Sequence, residues 1–103
     1  MMDRIKIAVD SLGGDNGAEY IVMGISEALK QYDDIEIIVT GEEKELQTYI
    51  DKFNCDKNRV KIINSTEVIS CHDAPVDAIR NKKNSSLVLA LNTVKNGEAQ
   101  AII

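Results

Sequence analysis

The sequence predicts an α/β fold in which helices cover both faces of a mostly parallel sheet. Strand and helix patterns alternate along the chain, which is typical of parallel sheets. The run Ile37-Ile38-Val39 is continuously apolar, as in strands buried on both faces. Crossovers between parallel strands are right-handed and place helices on both sides of the sheet. We therefore expect a three-layer αβα arrangement.

Composition limits the chain to one modest hydrophobic core, because it has 103 residues of which 44% are hydrophobic. A formal net charge of -5 argues against a general surface for nucleic acid or anionic membranes. The start of the chain shows no signal-peptide pattern and no apolar run reaches membrane-spanning length, so we expect a cytoplasmic protein. Cys55 and Cys71 are then expected to be reduced thiols.

The first half of the chain reads as strand, helix, strand. Apolar and polar residues alternate over residues 4–9, which predicts the first strand. A helix is expected from about Gly17, because Asn16 and Glu19 form a capping-box pattern and Gly24 within the helix favours close packing. Its predicted apolar stripe has a spacing of three and four residues: Ala18, Ile21, Val22, Ile25, Ala28, Leu29 and Tyr32. Residues 35–40 supply the second strand.

The second half continues the alternation. A helical stripe runs from Leu46 to Phe53, residues 54–59 read as a surface turn, and residues 60–63 form a third short strand. Pro75 suits the first turn of a short helix capped by Asp73. A largely buried helix is expected at about residues 86–95, and residues 100–103 open a further strand. Because that strand is left unfinished, we expect a truncated fold.

A glycine-rich loop at residues 10–17 links the first strand to the first helix. Its spacing fits neither the dinucleotide-binding fingerprint nor the P-loop. Asp10 and Asp15 would repel an anion, so we expect them to orient basic side chains or accept backbone N–H groups. The loop is read either as one wall of a phosphate site or as a tight turn of purely geometric purpose.

A second candidate segment spans residues 80–86 and holds the concentrated positive charge of the chain. Cationic side chains, serine hydroxyls and a helix N-terminus together suit an anion. The alternative is a solvated connector with a serine cap. In open α/β sheets ligands bind beyond the carboxyl ends of the strands, where both segments are expected.

The stretch Cys71-His72-Asp73 is the third candidate. Neighbouring residues seldom orient as an acid/base pair, so we expect Asp73 to cap a helix and assign no catalytic role to His72. Cys71 as an acyl-carrying nucleophile has no supporting feature.

Several segments taken together resemble one known family. They are residues 5–10 running into Gly13-Gly14-Asp15-Asn16, residues 66–69, residues 73–75 with Ala78 and Arg80, and the segment Lys82-Lys83-Asn84-Ser85-Ser86. In order and spacing they resemble the phosphate acyltransferase family of bacterial phospholipid synthesis across the whole chain. Gly17-Ala18 departs from the Ala-Pro common in that family.

This resemblance implies an enzyme that transfers a fatty acyl group from acyl carrier protein to inorganic phosphate, giving acyl phosphate. It also implies a homodimer, peripheral association with the membrane, and a fold similar to isocitrate/isopropylmalate dehydrogenase-like folds. Residues 1–103 would form the N-terminal part of a single α/β catalytic domain, and no cofactor, metal ligand or nucleic-acid partner is assigned.

The resemblance and the charge pattern together indicate roles for ten residues. Asp10, Asp15 and Lys83 are assigned to catalysis. The residues assigned to substrate binding are Gly13, Gly14, Asn16, Arg80, Lys82, Ser85 and Ser86. Two alternatives stay open, namely a non-catalytic nucleotide- or phosphate-binding α/β domain and a structural fragment that binds nothing alone.

Overall fold

The computed structural model describes residues 4–12, 17–66 and 84–103. Strands and helices alternate there as the sequence predicts. The elements in chain order are β1 (Ile5–Asp10), α1 (Ala18–Gln31), β2 (Ile35–Gly41), α2 (Glu43–Lys52), β3 (Val60–Asn64), α3 (Ser86–Lys95) and β4 (Ala101–Ile102).

These strands form one four-stranded parallel sheet in the order β3-β2-β1-β4. The predicted parallel sheet is therefore confirmed. Strand β2 has a neighbour on each side, and Ile37, Ile38 and Val39 are all buried, as their continuous apolar run predicts.

Helices lie on both faces of the sheet. Val22, Ile25 and Leu29 of α1 and Leu46 and Ile50 of α2 share a core with Val9, Ile37 and Val39 of the sheet. On the opposite face, Ala90 of α3 joins Ala8, Ile38 and Ala99. Because alternate strand residues point to opposite faces, the single chain builds a separate core on each side.

Helix α1 differs from the prediction at both ends. Its N-cap is Gly17, with φ of 84°, rather than Asn16, and it makes no side-chain cap bond. Tyr32 is the extended C-cap and 55% exposed, so its place on the apolar stripe was wrong. The suggestion of close packing at Gly24 was also wrong, because nothing lies within 4 Å of a Cβ built there.

Helix α3 has the predicted bounds but a different orientation. The sequence suggests burial along the whole helix, yet Leu91 is 39% exposed while Ala90 and Thr93 are buried. Small side chains on the inner face let the helix lie close to Ala8 and Ile38 of the sheet. Of the large aliphatic residues, Val88 is buried and Val94 packs against this core, whereas Leu91 faces outward.

The predicted surface turn at residues 54–59 holds a buried arginine. Only 8% of Arg59 is exposed, and its guanidinium donates to the backbone carbonyls of Leu29 at 3.0 Å, Ile35 at 3.1 Å and Tyr32. It thereby satisfies carbonyls that the end of α1 leaves without intrahelical partners. A cation in this position also interacts favourably with the negative end of the helix dipole.

Candidate functional site

The strand order creates a switch point at the carboxyl end of β1. Strands β2 and β3 extend the sheet on one side of β1, whereas β4 returns to its other side. Ligands of open α/β sheets bind at such a reversal. Asp10 is the last residue of β1 and Ile103, just after β4, accepts a 3.2 Å hydrogen bond from its backbone N–H.

The Asp10 carboxylate is held by two hydrogen bonds within the chain. Its Oδ1 accepts from the backbone N–H of Leu12 at 3.0 Å and from the Ser86 hydroxyl at 2.5 Å. The first bond shapes the entrance to the glycine-rich loop, as Asp side chains commonly do in turns. The second links the end of β1 to the first residue of α3, 76 positions away in sequence.

Thr40 completes this cluster from β2. It pairs with Asp10 in the sheet register and is fully buried. Its Oγ1 lies 2.8 Å from Ser86 Oγ and 2.7 Å from the Ser86 carbonyl oxygen, while Ser86 Oγ lies 2.7 Å from the Thr40 carbonyl oxygen. Ser86 thus bonds both central strands at once. We call Asp10, Thr40 and Ser86 the carboxyl-edge cluster.

The N-terminus of α3 is fixed by further bonds at the same edge. Ser85 is its N-cap, and its hydroxyl accepts from the Val88 backbone N–H at 3.4 Å. The backbone N–H of Thr66 donates to the Asn84 carbonyl at 3.0 Å, and that of Ser65 to the Gly41 carbonyl at 2.7 Å. The chain leaving β3 and the chain entering α3 therefore meet beyond the end of β2.

The structure brings together three of the predicted site residues. Asp10 and Ser86 are in direct contact, and Ser85 is adjacent to them at the helix cap. Ser85 and Ser86 are only 1% and 3% exposed, because their hydroxyls bond inside the protein. The other predicted site residues lie outside the described residues: Gly13, Gly14, Asp15, Asn16, Arg80, Lys82 and Lys83. Cys71, His72, Asp73 and Pro75 also lie outside them.

Sequence reasoning missed Thr40 and Ser11. Thr40 ends an apolar strand, and a polar residue at the carboxyl end of a central strand was the available signal. Ser11 is fully buried, and within the described ranges its hydroxyl has no hydrogen-bond partner. A Cβ built on Gly41 would lie 1.9 Å from this hydroxyl, so Gly41 makes room for Ser11.

A groove of about 410 Å³ opens at the opposite, amino edge of the sheet. Its lining has four cations, Lys6, Lys57, Arg59 and Lys61, and two anions, Glu36 and Glu98, and it contains none of the predicted site residues that the structure describes. Two of these cations are engaged within the protein, because Lys57 pairs with Asp51 and Arg59 donates to backbone carbonyls. We assign the candidate site to the carboxyl edge, because ligands of open α/β sheets bind beyond the carboxyl ends of the strands.

Two other kinds of site find no support in the described ranges. There, no three His, Cys, Asp or Glu side chains gather as a metal site requires. Cys55 is a buried free thiol, and burial raises its pKa, which disfavours the nucleophilic thiolate.

Among the helices described, none has the length and apolar character needed to cross a membrane.

Comparison with known proteins decides the family. Residues 5–103 match the family described as fatty acid synthesis protein. The chain belongs to this family. The match covers both cores and the whole carboxyl-edge cluster, so the family resemblance seen in the sequence is confirmed.

Curated relatives in this family are named phosphate acyltransferase. The chain is 50% identical over 98 residues to one from Pediococcus pentosaceus, covering 95% of this chain and 27% of the relative. It is 50% identical over 97 residues to one from Clostridium botulinum strain Langeland, covering 94% and 29%. It is 44% identical over 99 residues to one from Halothermothrix orenii, covering 96% and 30%. The chain therefore spans less than a third of the length of these relatives.

Proposed function

We propose that residues 1–103 are the N-terminal part of an acyltransferase that moves a fatty acyl group from acyl carrier protein to inorganic phosphate. The observation that carries this proposal is the 50% identity, over almost the whole chain, to relatives named phosphate acyltransferase. Membership of a fatty acid synthesis family supports a fatty acyl donor.

In the proposed reaction a phosphate oxygen attacks the carbonyl carbon of the acyl thioester. The new C–O bond forms, the C–S bond breaks, and acyl carrier protein leaves as its thiol after taking up a proton. The site must hold an anionic nucleophile next to a carbonyl oxygen that becomes negative in the transition state. Donors fixed in place before the reaction suit both tasks.

The proposal gives the N-terminus of α3 and the segment before it the role of phosphate binding. Lys83 supplies positive charge, and the first turn of α3, fixed by Ser85 and Ser86, supplies backbone N–H groups. Asp10 positions Ser86 and does not itself bind phosphate, since a second anion beside phosphate would repel it. Gly13, Gly14 and Asn16 bring the opposing loop close, and Asp15 orients basic side chains.

Docking of acyl carrier protein is proposed at Arg80 and Lys82, because acyl carrier proteins are strongly acidic. A homodimer, peripheral membrane association and completion of the sheet in an isocitrate dehydrogenase-like fold belong to the same proposal. A charge reversal at Arg80 should raise the KM for acyl carrier protein at low ionic strength. An unchanged KM would remove Arg80 from the docking surface.

The decisive experiment is an assay of the purified full-length protein with acyl-acyl carrier protein and inorganic phosphate. Acyl phosphate is separated from the acyl thioester and detected by mass spectrometry, and the released thiol is measured independently. We expect both products in equal amounts and only when phosphate is present. Thiol release without acyl phosphate would indicate simple hydrolysis, and binding of nucleotides in preference to phosphate would favour a non-catalytic binding domain.

Lys83→Ala tests the phosphate site within this reaction. Loss of one charge-assisted contact, worth about 1.5 to 3 kcal/mol, should raise the phosphate KM by roughly tenfold or more. Lys44→Ala on the exposed face of α2 removes an equal charge and serves as the control. Unchanged phosphate KM and turnover in Lys83→Ala would remove this residue from the site.

A further inference from the structure

Thr40 is the one member of the carboxyl-edge cluster that has no role in the proposed reaction so far. It has no exposed surface, so it does not touch a substrate directly. Its hydroxyl faces Ser86 at two atoms, and it also lies 3.4 Å from the Val9 carbonyl oxygen.

The distances within the cluster allow the hydroxyl protons of Ser86 and Thr40 to be assigned to acceptors. Ser86 Oγ lies 2.5 Å from Asp10 Oδ1 and 2.7 Å from the Thr40 carbonyl oxygen, and its single proton is donated to Asp10 because the carboxylate is the closer and stronger acceptor. Ser86 Oγ then accepts from Thr40 Oγ1 at 2.8 Å, or Thr40 donates to the Ser86 carbonyl at 2.7 Å. In both cases Thr40 fixes Ser86 while the Ser86 proton remains directed at Asp10.

The cluster also ties three elements that approach from different directions. Asp10 ends β1, Thr40 lies at the end of β2, and Ser86 begins α3. A shift of the first turn of α3 relative to the sheet would break these bonds together. The cluster therefore fixes where the helix N-terminus lies with respect to β1 and β2.

We propose that Thr40 is a positioning residue that acts through Ser86 to hold the N-terminus of α3 in the geometry needed to bind phosphate. This inference rests on the proposed function and deepens it. It assigns to β2 a part in phosphate recognition that neither the glycine-rich loop nor the basic segment supplies.

The test uses Thr40→Val in the full-length protein, because valine keeps the shape and removes the hydroxyl. We expect the KM for phosphate to rise about tenfold, corresponding to one or two lost hydrogen bonds, while the KM for acyl-acyl carrier protein changes less than twofold. Thr40→Ser restores the hydroxyl and should recover most of the phosphate affinity. Binding of inorganic phosphate is measured in parallel by calorimetry.

Thr93→Val, on the helix α3 that begins with Ser86, is a matched control. Thr93 is also buried, and its hydroxyl bonds to the Ala90 carbonyl at 2.7 Å, away from the cluster. If loss of a buried hydroxyl only lowers the free energy of unfolding, Thr93→Val and Thr40→Val should both be less stable, and both should have unchanged KM values. Equal behaviour of the two valine variants would overturn the positioning role.

Ser86→Ala shows whether Thr40 acts through Ser86 and provides a second variant should Thr40→Val fold poorly. Ser86→Ala alone should weaken phosphate binding in the same direction. In the Ser86→Ala background, Thr40→Val should change phosphate affinity less than twofold, because coupled residues are not additive. If the two substitutions weakened phosphate affinity independently, so that their fold-changes multiplied in the double variant, the inference would be contradicted.

The binding measurement separates this inference from the proposed function. If the wild type binds phosphate but forms no acyl phosphate, the acyltransferase proposal fails, and weaker binding by Thr40→Val still supports Thr40. If Thr40→Val binds phosphate as well as wild type, the positioning role fails whatever the reaction. If the wild type neither binds phosphate nor forms acyl phosphate, both proposals fail.

Discussion

The two ends of the sheet are both held by buried polar side chains, but of different kinds. At the amino end, Arg59 donates to three backbone carbonyls around the end of α1 and the start of β2. At the carboxyl end, the carboxyl-edge cluster joins two hydroxyls and a carboxylate between β1, β2 and α3. The first set bonds only to backbone, whereas the second also includes bonds between side chains.

This difference in bonding indicates that the amino end serves stability, whereas the carboxyl end also serves the proposed binding of phosphate. The planar donors of a guanidinium fix the backbone carbonyls around it, so Arg59 has a structural role. Hydroxyls and a carboxylate can rotate and exchange hydrogen-bond partners, and Asp10 is half-buried rather than sealed. We therefore expect changes at the amino end to alter the free energy of unfolding alone, and changes at the carboxyl end to alter phosphate binding as well.

Arg59→Met should give the largest effect on stability. It leaves three carbonyls without their donor, which we expect to cost about 3 kcal/mol in the free energy of unfolding. Urea unfolding of the full-length protein measures the loss, and the phosphate KM of the folded fraction should stay within twofold. A changed phosphate KM would break the proposed separation between the two ends.

Arg59→Lys and Lys57→Met are the matched controls for this prediction. Lysine keeps the charge but cannot reach all three carbonyls, so an intermediate loss is expected. Lys57 lies two residues away, is exposed, and pairs with Asp51 at 2.8 Å. Its removal should change stability by less than about 0.5 kcal/mol. A full loss in Lys57→Met would point to net charge rather than carbonyl bonding.

Gly41→Ala should give the next largest effect, now at the carboxyl end. The added Cβ would lie 1.9 Å from Ser11 Oγ, and we expect a cost of about 2 kcal/mol from overpacking. Ser11→Ala alone should be nearly neutral, because the hydroxyl it removes has no partner within the described ranges. Both effects are read from urea unfolding.

The double variant Ser11→Ala with Gly41→Ala sharpens this test. Removal of the hydroxyl leaves Leu46 Cδ1 at 3.1 Å and Ser11 Cβ at 3.3 Å as the nearest neighbours of the new Cβ. We expect at least half of the loss in Gly41→Ala to be recovered. No recovery would mean that the Ser11 hydroxyl is not the cause, and that the contact with Leu46 or the backbone conformation of Gly41 requires glycine.

Much of the fold was predictable because its determinants are local. Apolar periodicity located all seven described elements, and the continuous apolar run of β2 correctly indicated a strand buried on both faces. The predicted N-cap of α1 and the predicted burial of α3 were wrong in detail. Those details depend on how closely a helix approaches the sheet, which small residues such as Ala90 decide only after packing.

The candidate site was less predictable because its contacts join residues far apart in sequence. Asp10 and Ser86 were each named from local patterns, but their contact spans 76 positions. Thr40 had no motif around it, and Arg59 was read as a surface residue since charged residues in turns usually face water. Only the convergence of α1, β2 and β3 makes burial of Arg59 favourable. The roles of Asp15, Lys83 and the other residues outside the described ranges stay predictions.

Gly24→Ala should give the smallest effect and in the opposite direction. Gly24 lies within α1 on an exposed surface, and a Cβ there meets nothing within 4 Å. Alanine should therefore stabilise the protein by about 0.5 to 1 kcal/mol through its helix propensity. A higher urea midpoint with an unchanged phosphate KM would show that altered stability alone does not move phosphate binding. A shifted phosphate KM would instead mean that binding follows global stability, and the kinetic comparison between Thr40→Val and Thr93→Val would then lose its meaning.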